Sequence, residues 1–224
     1  MRRLLRDNGL TLFFIALCLL TIVGEMVAGW KDFNQEQLAH HSATISFVRF
    51  LYSSDFAEAI SENFQSEFLQ FSAFILASVW LIQRGSAESK SAADLGRMSD
   101  KDEMVGEHAQ RGTPAWARVE GARRWLFEHS LVLLMTFLFF FSWATQSVSG
   151  WSLYNQEQQQ HKESTVSWLG YVENSDFWEK TMQNWQSEFM AVASMAIFSV
   201  YLRERGSPES KPVGAPHPET GGQS

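Results

Sequence analysis

The 224-residue chain predicts an all-α integral membrane protein. The expected architecture is four transmembrane helices from two tandem parallel two-helix repeats, with the N and C termini cytoplasmic. Three observations carry this reading. Apolar residues are gathered into blocks of spanning length. The chain matches itself at a shift of 121 residues. Lys and Arg are concentrated in the two chain ends and the central linker.

The first block, "LTLFFIALCLLTIVGEMVAGW", runs from Leu10 to Trp30 with Glu25 as its one charge. It reaches the roughly 20 residues needed to cross a hydrocarbon core about 30 Å thick. A basic head before an apolar core also fits a signal peptide. However, no A-x-A-like site precedes Trp30, and the same kind of segment recurs internally at Arg124–Gly150. It is therefore read as a retained helix, spanning about 10–30. The block "SLVLLMTFLFFFSWATQSVSGW" (Ser130–Trp151) has no charge and gives a span of about 128–150.

The apolar parts of the other two helices, Phe68–Ile82 and Phe189–Leu202, are shorter. A buried helix of a soluble protein is the competing reading. The repeat decides for crossing, because a two-span unit returns the chain to its starting side. Spans of about 63–83 and 184–203 follow once each helix is extended back into its polar start.

The repeat is the most specific signal. Between Gly29–Lys90 and Gly150–Lys211, 27 of 62 positions are identical, and most of the matches are polar. Gly29-Trp30 recurs as Gly150-Trp151, "NQEQLAH" (34–40) as "NQEQQQH" (155–161), and "RGSAESK" (84–90) as "RGSPESK" (205–211). The hexad "NFQSEF" from Asn63 returns as "NWQSEF" from Asn184. Both copies insert the same way up, so the repeat is parallel and not the inverted kind.

The expected organisation is a first membrane repeat over 1–90, a polar cytoplasmic linker over 91–123, a second repeat over 124–211 and a tail over 212–224. Linker and tail are rich in small and polar residues and are expected to be mostly disordered. Of the 18 Lys and Arg, only Lys31, Arg49, Lys162 and Lys180 lie in the two long loops. The positive-inside rule turns those loops outward.

The "QSEF" and "RGSxESK" pairs, the two-span duplication and the proline-rich tail together resemble a family of uncharacterised bacterial integral membrane proteins, a domain of unknown function. The resemblance implies a membrane location but no activity.

Four polar residues are candidates for ion or proton binding: Glu25, Glu67, Glu188 and Gln146. At 1.5 Å per residue they fall at similar depth below the outer boundary, and an intramembrane acid is a functional-site hypothesis by default. Asn63, Glu67, Ser78 and Leu81 fall within roughly 60° of helical arc, at about 100° per residue, and are expected to face inward. Glu36 with His40, and Glu157 with His161, stand four apart on a helix and form a weak metal-ligand set. Asp55 with Glu58, and Asp176 with Glu179, fit capping-box-like helix starts, and Gly85 and Gly206 are expected to stop those helices.

A net charge of −7 argues against nucleic-acid binding, and the single Cys18 excludes an internal disulfide. No nucleotide loop, nucleophile elbow or haem motif is present, and no cofactor is expected. The expectation is a non-enzymatic, multi-pass protein of the bacterial plasma (inner) membrane. The lipid bilayer is its expected partner, with a second copy or another membrane protein left open. A small cation or proton transporter and an outward-facing metal site are the alternatives.

Overall fold

The computed structural model describes residues 2–220. Met1 and residues 221–224, the ends of the expected tip and tail, lie outside the described residues. Among the described residues the chain is all-α, with eight α-helices and no strand. They are α1 (Arg2–Asp7), α2 (Gly9–Ala39), α3 (Phe47–Leu51), α4 (Ser54–Trp80), α5 (Ala122–Glu128), α6 (Ser130–Gln160), α7 (Trp168–Val172) and α8 (Ser175–Tyr201).

α2 and α6 are each 31 residues long, about 46 Å at the α-helical rise. Both are long and apolar enough to cross a membrane. α4 and α8 have 27 residues each, with polar first halves.

Burial runs opposite to that of a water-soluble fold, where charged and amide side chains stay outside. Among the described residues, seven apolar side chains are buried, against thirteen polar or charged ones. Phe13, Phe14 and Leu20 of α2, Phe137 and Phe141 of α6, and Met190 and Ile197 of α8 are all exposed.

Two compact units divide the chain: Met1–Ile60 with Thr145–Tyr171, and Ser61–Ala144 with Val172–Ser224. In the first unit one device occurs twice. The Trp30 indole N–H donates to the Ile45 carbonyl at 2.8 Å, and the Asn34 amide brackets the same residue. It donates to the Ile45 carbonyl at 3.0 Å and accepts from its N–H at 2.7 Å. Trp151, Asn155 and Val166 repeat all three bonds at 2.8, 2.9 and 2.8 Å. The tryptophan and asparagine, one helical turn apart, thus pin the returning loop to its own helix. The returning segment has no strand neighbour, and the asparagine amide satisfies its backbone.

Directly beyond the clamp, the buried ring of Phe50 lies against Gly29, where an added Cβ would stand 3.0 Å from the ring. Tyr171 occupies the matching place against Gly150.

In the second unit α8 is capped by Asn174, whose side chain accepts from the Asp176 N–H at 3.1 Å. In the first unit the Ser53 hydroxyl does the same for Phe56 at 3.2 Å. The caps therefore fall two residues before Asp55 and Asp176, the positions expected from sequence. The two aspartates sit in the first turn, where the helix dipole favours them. Glu58 is buried and Glu179 exposed, so neither a shared capping role nor a shared environment joins them.

The helices end at Trp80 and Tyr201, earlier than the glycine stops expected at Gly85 and Gly206. Those glycines serve the turn that follows, at φ +87° and +85°. In each turn a serine hydroxyl reaches back six residues, Ser89 to the Gln83 N–H and Ser210 to the Glu204 N–H, both at 2.9 Å. A second serine accepts two residues on, Ser86 from Glu88 and Ser207 from Glu209, both at 3.2 Å. "RGSxESK" is therefore a turn held by its own serines in both copies.

Its final lysine fastens the chain beyond. Lys90 donates to the Gly96 carbonyl. The buried Lys211 donates to the carbonyls of Pro216, His217 and Glu219 at 3.2, 2.9 and 2.8 Å. Residues 212–220 thus form turns around one ammonium, where the composition suggested a disordered tail. The linker 91–123 holds three short 3-10 turns, Ala92–Asp94, Gly106–His108 and Ala115–Ala117. It is tied to α5 by an Arg124–Asp100 ion pair at 2.8 Å. These ties are local, which a composition rule does not register.

Candidate functional site

Two polar centres form, one in each unit. The first surrounds Gly150 on α6. The Glu58 carboxylate and the Tyr171 hydroxyl both press on the glycine, and an added Cβ would stand 2.6 Å from Glu58 Oε1. One turn earlier on the same helical face lies Gln146, which is 1% exposed. Neither its Oε1 nor its Nε2 has a hydrogen-bond partner. Ser149, also buried, turns back to the Thr145 carbonyl at 2.8 Å. Glu25, which matches Gln146 in the repeat, is half-buried.

The second centre is where the paired hexads meet, between α4 and α8. The Trp185 indole N–H donates to Gln65 Oε1 at 2.7 Å. The Glu188 carboxylate accepts from the Ser66 hydroxyl and lies close enough to Glu67 for the two charges to interact. Just above, the Glu62 carboxylate faces Lys180 and bonds the Asn184 side chain. Burial outweighs those two partners and raises the Glu62 carboxyl above its ordinary range.

The buried face of α4 in this unit carries Ser61, Gln65 and Ser72, at i, i+4 and i+11. Asn63, Glu67 and Leu81 are exposed and Ser78 is half-buried. The inward stripe expected from sequence is thus mostly the outer face. Helical phase groups the stripe on one face, whereas burial follows which neighbour each helix meets. Gln65 is fully buried, while its match Gln186 is exposed.

Rings close this centre from the α6 and α8 sides. Trp143 stacks on Phe177 at 5.9 Å and lies 6.2 Å from Trp185. Phe139 and Trp178 flank it at 5.7 and 6.0 Å. Phe177, Thr181 and Trp185 are spaced four apart, on one face of α8. Trp143 therefore spans the two rings with Thr181 between them. Three buried polar atoms here lack any hydrogen-bond partner: Trp143 Nε1, Gln65 Nε2 and Thr181 Oγ1. Each such orphan costs about 1–3 kcal/mol.

The sequence reading passed over Trp143 and Thr181. Their signal was divergence: the matching residues in the first copy are Ile22 and Ile60. Gln65 was noticed only as part of a repeated motif.

Glu36, His40, Glu157 and His161 are all exposed. Among the described residues, no group of three or more His, Cys, Asp and Glu is placed to hold a metal ion. α2 and α6 do continue as helices through both Glu-His pairs, to Ala39 and Gln160.

These features define an all-α protein with two helices able to cross a membrane and a largely polar interior. The chain belongs to the family described as Domain of unknown function (DUF6766), whose model matches residues 1–222. No match was found among the curated proteins, nor among the solved structures.

Proposed function

We propose that this chain is a non-enzymatic, four-span protein of the bacterial plasma membrane. In this reading two tandem parallel two-helix repeats place both termini in the cytoplasm and present two clamped loops outside. The inverted burial carries the reading: Gln65, Gln146, Ser142 and Thr181 are inside, while Phe13, Phe137, Phe141 and Ile197 are outside. Water would penalise that arrangement and hydrocarbon would favour it. α4 and α8 then serve as spans despite their polar starts, because those polar residues lie at the outer rim. Outside, Arg49, Gln37, Gln156 and Gln160 border an open cleft of about 490 Å³, a surface fit for contact with envelope components.

Impermeant thiol labelling of intact cells tests the topology in a Cys18→Ser background. Ala43→Cys and Ser164→Cys should label from outside, and Ala93→Cys only after lysis. Labelling of Ala93→Cys in intact cells would overturn the orientation.

A second reading draws on the meeting of Glu188, Ser66 and Glu67. Two carboxylates this close can share a proton or hold a cation, as a small transporter would require. Reconstituted vesicles would then show proton or cation flux that Glu188→Gln reduces at least tenfold. Absence of flux in the wild type removes this reading.

A further inference from the structure

We infer that the ring-lined centre between α4, α6 and α8 is a binding site for a neutral carbonyl oxygen carried on an apolar body. Either the acyl ester of a glycerolipid or a lipid-soluble quinone would supply it. The inference rests on the four-span reading for its depth in the membrane, but its chemistry comes from the residues.

Two of the three unpartnered atoms, Trp143 Nε1 and Gln65 Nε2, are pure donors. The third, Thr181 Oγ1, donates or accepts. Such a set calls for an acceptor. The other end of the Gln65 amide is already occupied by the Trp185 indole at 2.7 Å. The amide is thus oriented, with its N–H₂ left over.

Charge narrows the ligand class. No Lys or Arg is among Gln65, Trp143, Phe177, Thr181 and Trp185, so an anion beside them would be desolvated without compensation. Lys180, next to Thr181 in sequence, faces Glu62 and is paired with Asp176 at 3.5 Å. A cation is disfavoured because Trp143 Nε1 and Gln65 Nε2 can only donate. A neutral acceptor remains.

The walls specify the rest of the molecule. The Trp143 ring lies 5.9 Å from that of Phe177 and 6.2 Å from that of Trp185, centroid to centroid, a lining that suits an apolar or flat body. Trp143 and Trp185 are themselves only half-buried, which leaves a lateral approach. The hexad stands at the outer rim of the proposed span. That is the level at which the ester carbonyls of a bilayer lie.

The duplication supplies an internal control. At the positions matching Trp143, Thr181 and Trp185 the first copy carries Ile22, Ile60 and Phe64, whose side chains have no polar atom. Gln65 is matched by Gln186, which is exposed, so only one copy buries its donors.

The experiment uses the full chain in vesicles of phosphatidylglycerol, either diacyl (ester-linked) or dialkyl (ether-linked). The two lipids differ in the carbonyl oxygens. A third sample adds decyl-benzoquinone to the ether vesicles. Flotation first establishes that the protein is in the bilayer. Failure to float would sink the membrane reading and this inference with it. For floated protein, the thermal unfolding midpoint should be about 5–10 °C higher with the preferred ligand near a hundred times its Kd.

A rise in ester vesicles identifies the lipid, and a rise with quinone identifies the quinone. In either case Trp143→Phe, Thr181→Val and Gln65→Leu should each shrink the rise. Trp143→Phe and Thr181→Val remove orphaned polar atoms and are expected to fold. Equal midpoints in all three samples, as a bound water alone would give, overturn the inference. So does a rise that survives all three substitutions.

Discussion

The loop clamps and the hexads began as the same kind of evidence, polar motifs that recur 121 residues apart. They behave differently. Trp30, Asn34 and Ile45 make the same three bonds as Trp151, Asn155 and Val166, within 0.1 Å. The hexads do not: Gln65 is buried and holds Trp185, while Gln186 is exposed. The difference teaches what a duplicated motif retains. A device closed within one copy, such as a loop pinned to its own helix, repeats its geometry with its sequence. A device that depends on a partner element is free to diverge, since each copy meets different neighbours.

Paired glycines test that distinction. The largest difference is expected at the two "RGSxESK" turns. Gly85 and Gly206 share a left-handed backbone, which costs a non-glycine residue about 1–2 kcal/mol. At Gly206 an added methyl meets open space, but at Gly85 it runs into the His217 carbonyl. Gly206→Ala should therefore cost about 1 kcal/mol, and Gly85→Ala about 3 kcal/mol once the overlap is added. Unfolding midpoints in detergent would show it, and equal losses would mean the tail does not pack on the first turn.

A smaller contrast is expected at Gly29 and Gly150. A methyl at Gly29 approaches one edge of the Phe50 ring at 3.0 Å, whereas at Gly150 it overlaps the Tyr171 hydroxyl and the Glu58 carboxylate. Those groups are side-chain ends and can shift, so Gly150→Ala should cost about 2 kcal/mol and Gly29→Ala under about 1 kcal/mol. Trimming the clash with Tyr171→Phe should recover part of the Gly150→Ala loss. No recovery would mean that the hydroxyl is not what the methyl strikes.

The same distinction explains how much of the molecule was legible in sequence. Four long helices, their order and the two spanning blocks follow from hydropathy and the repeat, because these are properties of one segment at a time. Helix ends were misjudged where a side chain beyond the helix intervened. Ser53 and Asn174 capped before the aspartates, and the serine-bonded turns took the glycines that were read as stops. The candidate site was legible only in outline. Gln146 was singled out by depth and is buried. Glu67, chosen by phase, is exposed. Trp143 and Thr181 were invisible, since nothing local to α6 or α8 says that their polar atoms are buried without a partner. Glu58 was read as half of a capping box, and only its burial against Gly150 reveals another role.

The smallest expected effect belongs to a place where the two "RGSxESK" turns touch through like charges. Glu88 and Glu209, matching residues of the two "RGSxESK" segments, hydrogen-bond to each other. One of two such carboxyls must keep a proton. Burial first, then the hydrogen bond and charge of Glu209, raise the Glu88 carboxyl above its ordinary value of 4.5. In that window the folded state binds more protons than the unfolded one, so stability falls as pH rises. The contact is at full strength below about pH 4.5 and is lost as pH climbs through the raised value. Because Glu88 is partly exposed, the loss should stay under about 1 kcal/mol. Glu88→Gln keeps a donor without the charge. It should flatten this part of the pH profile and leave the variant slightly more stable than wild type at neutral pH. Superimposable profiles would show that the two turns do not meet through these carboxyls, and that here too each copy is closed upon itself.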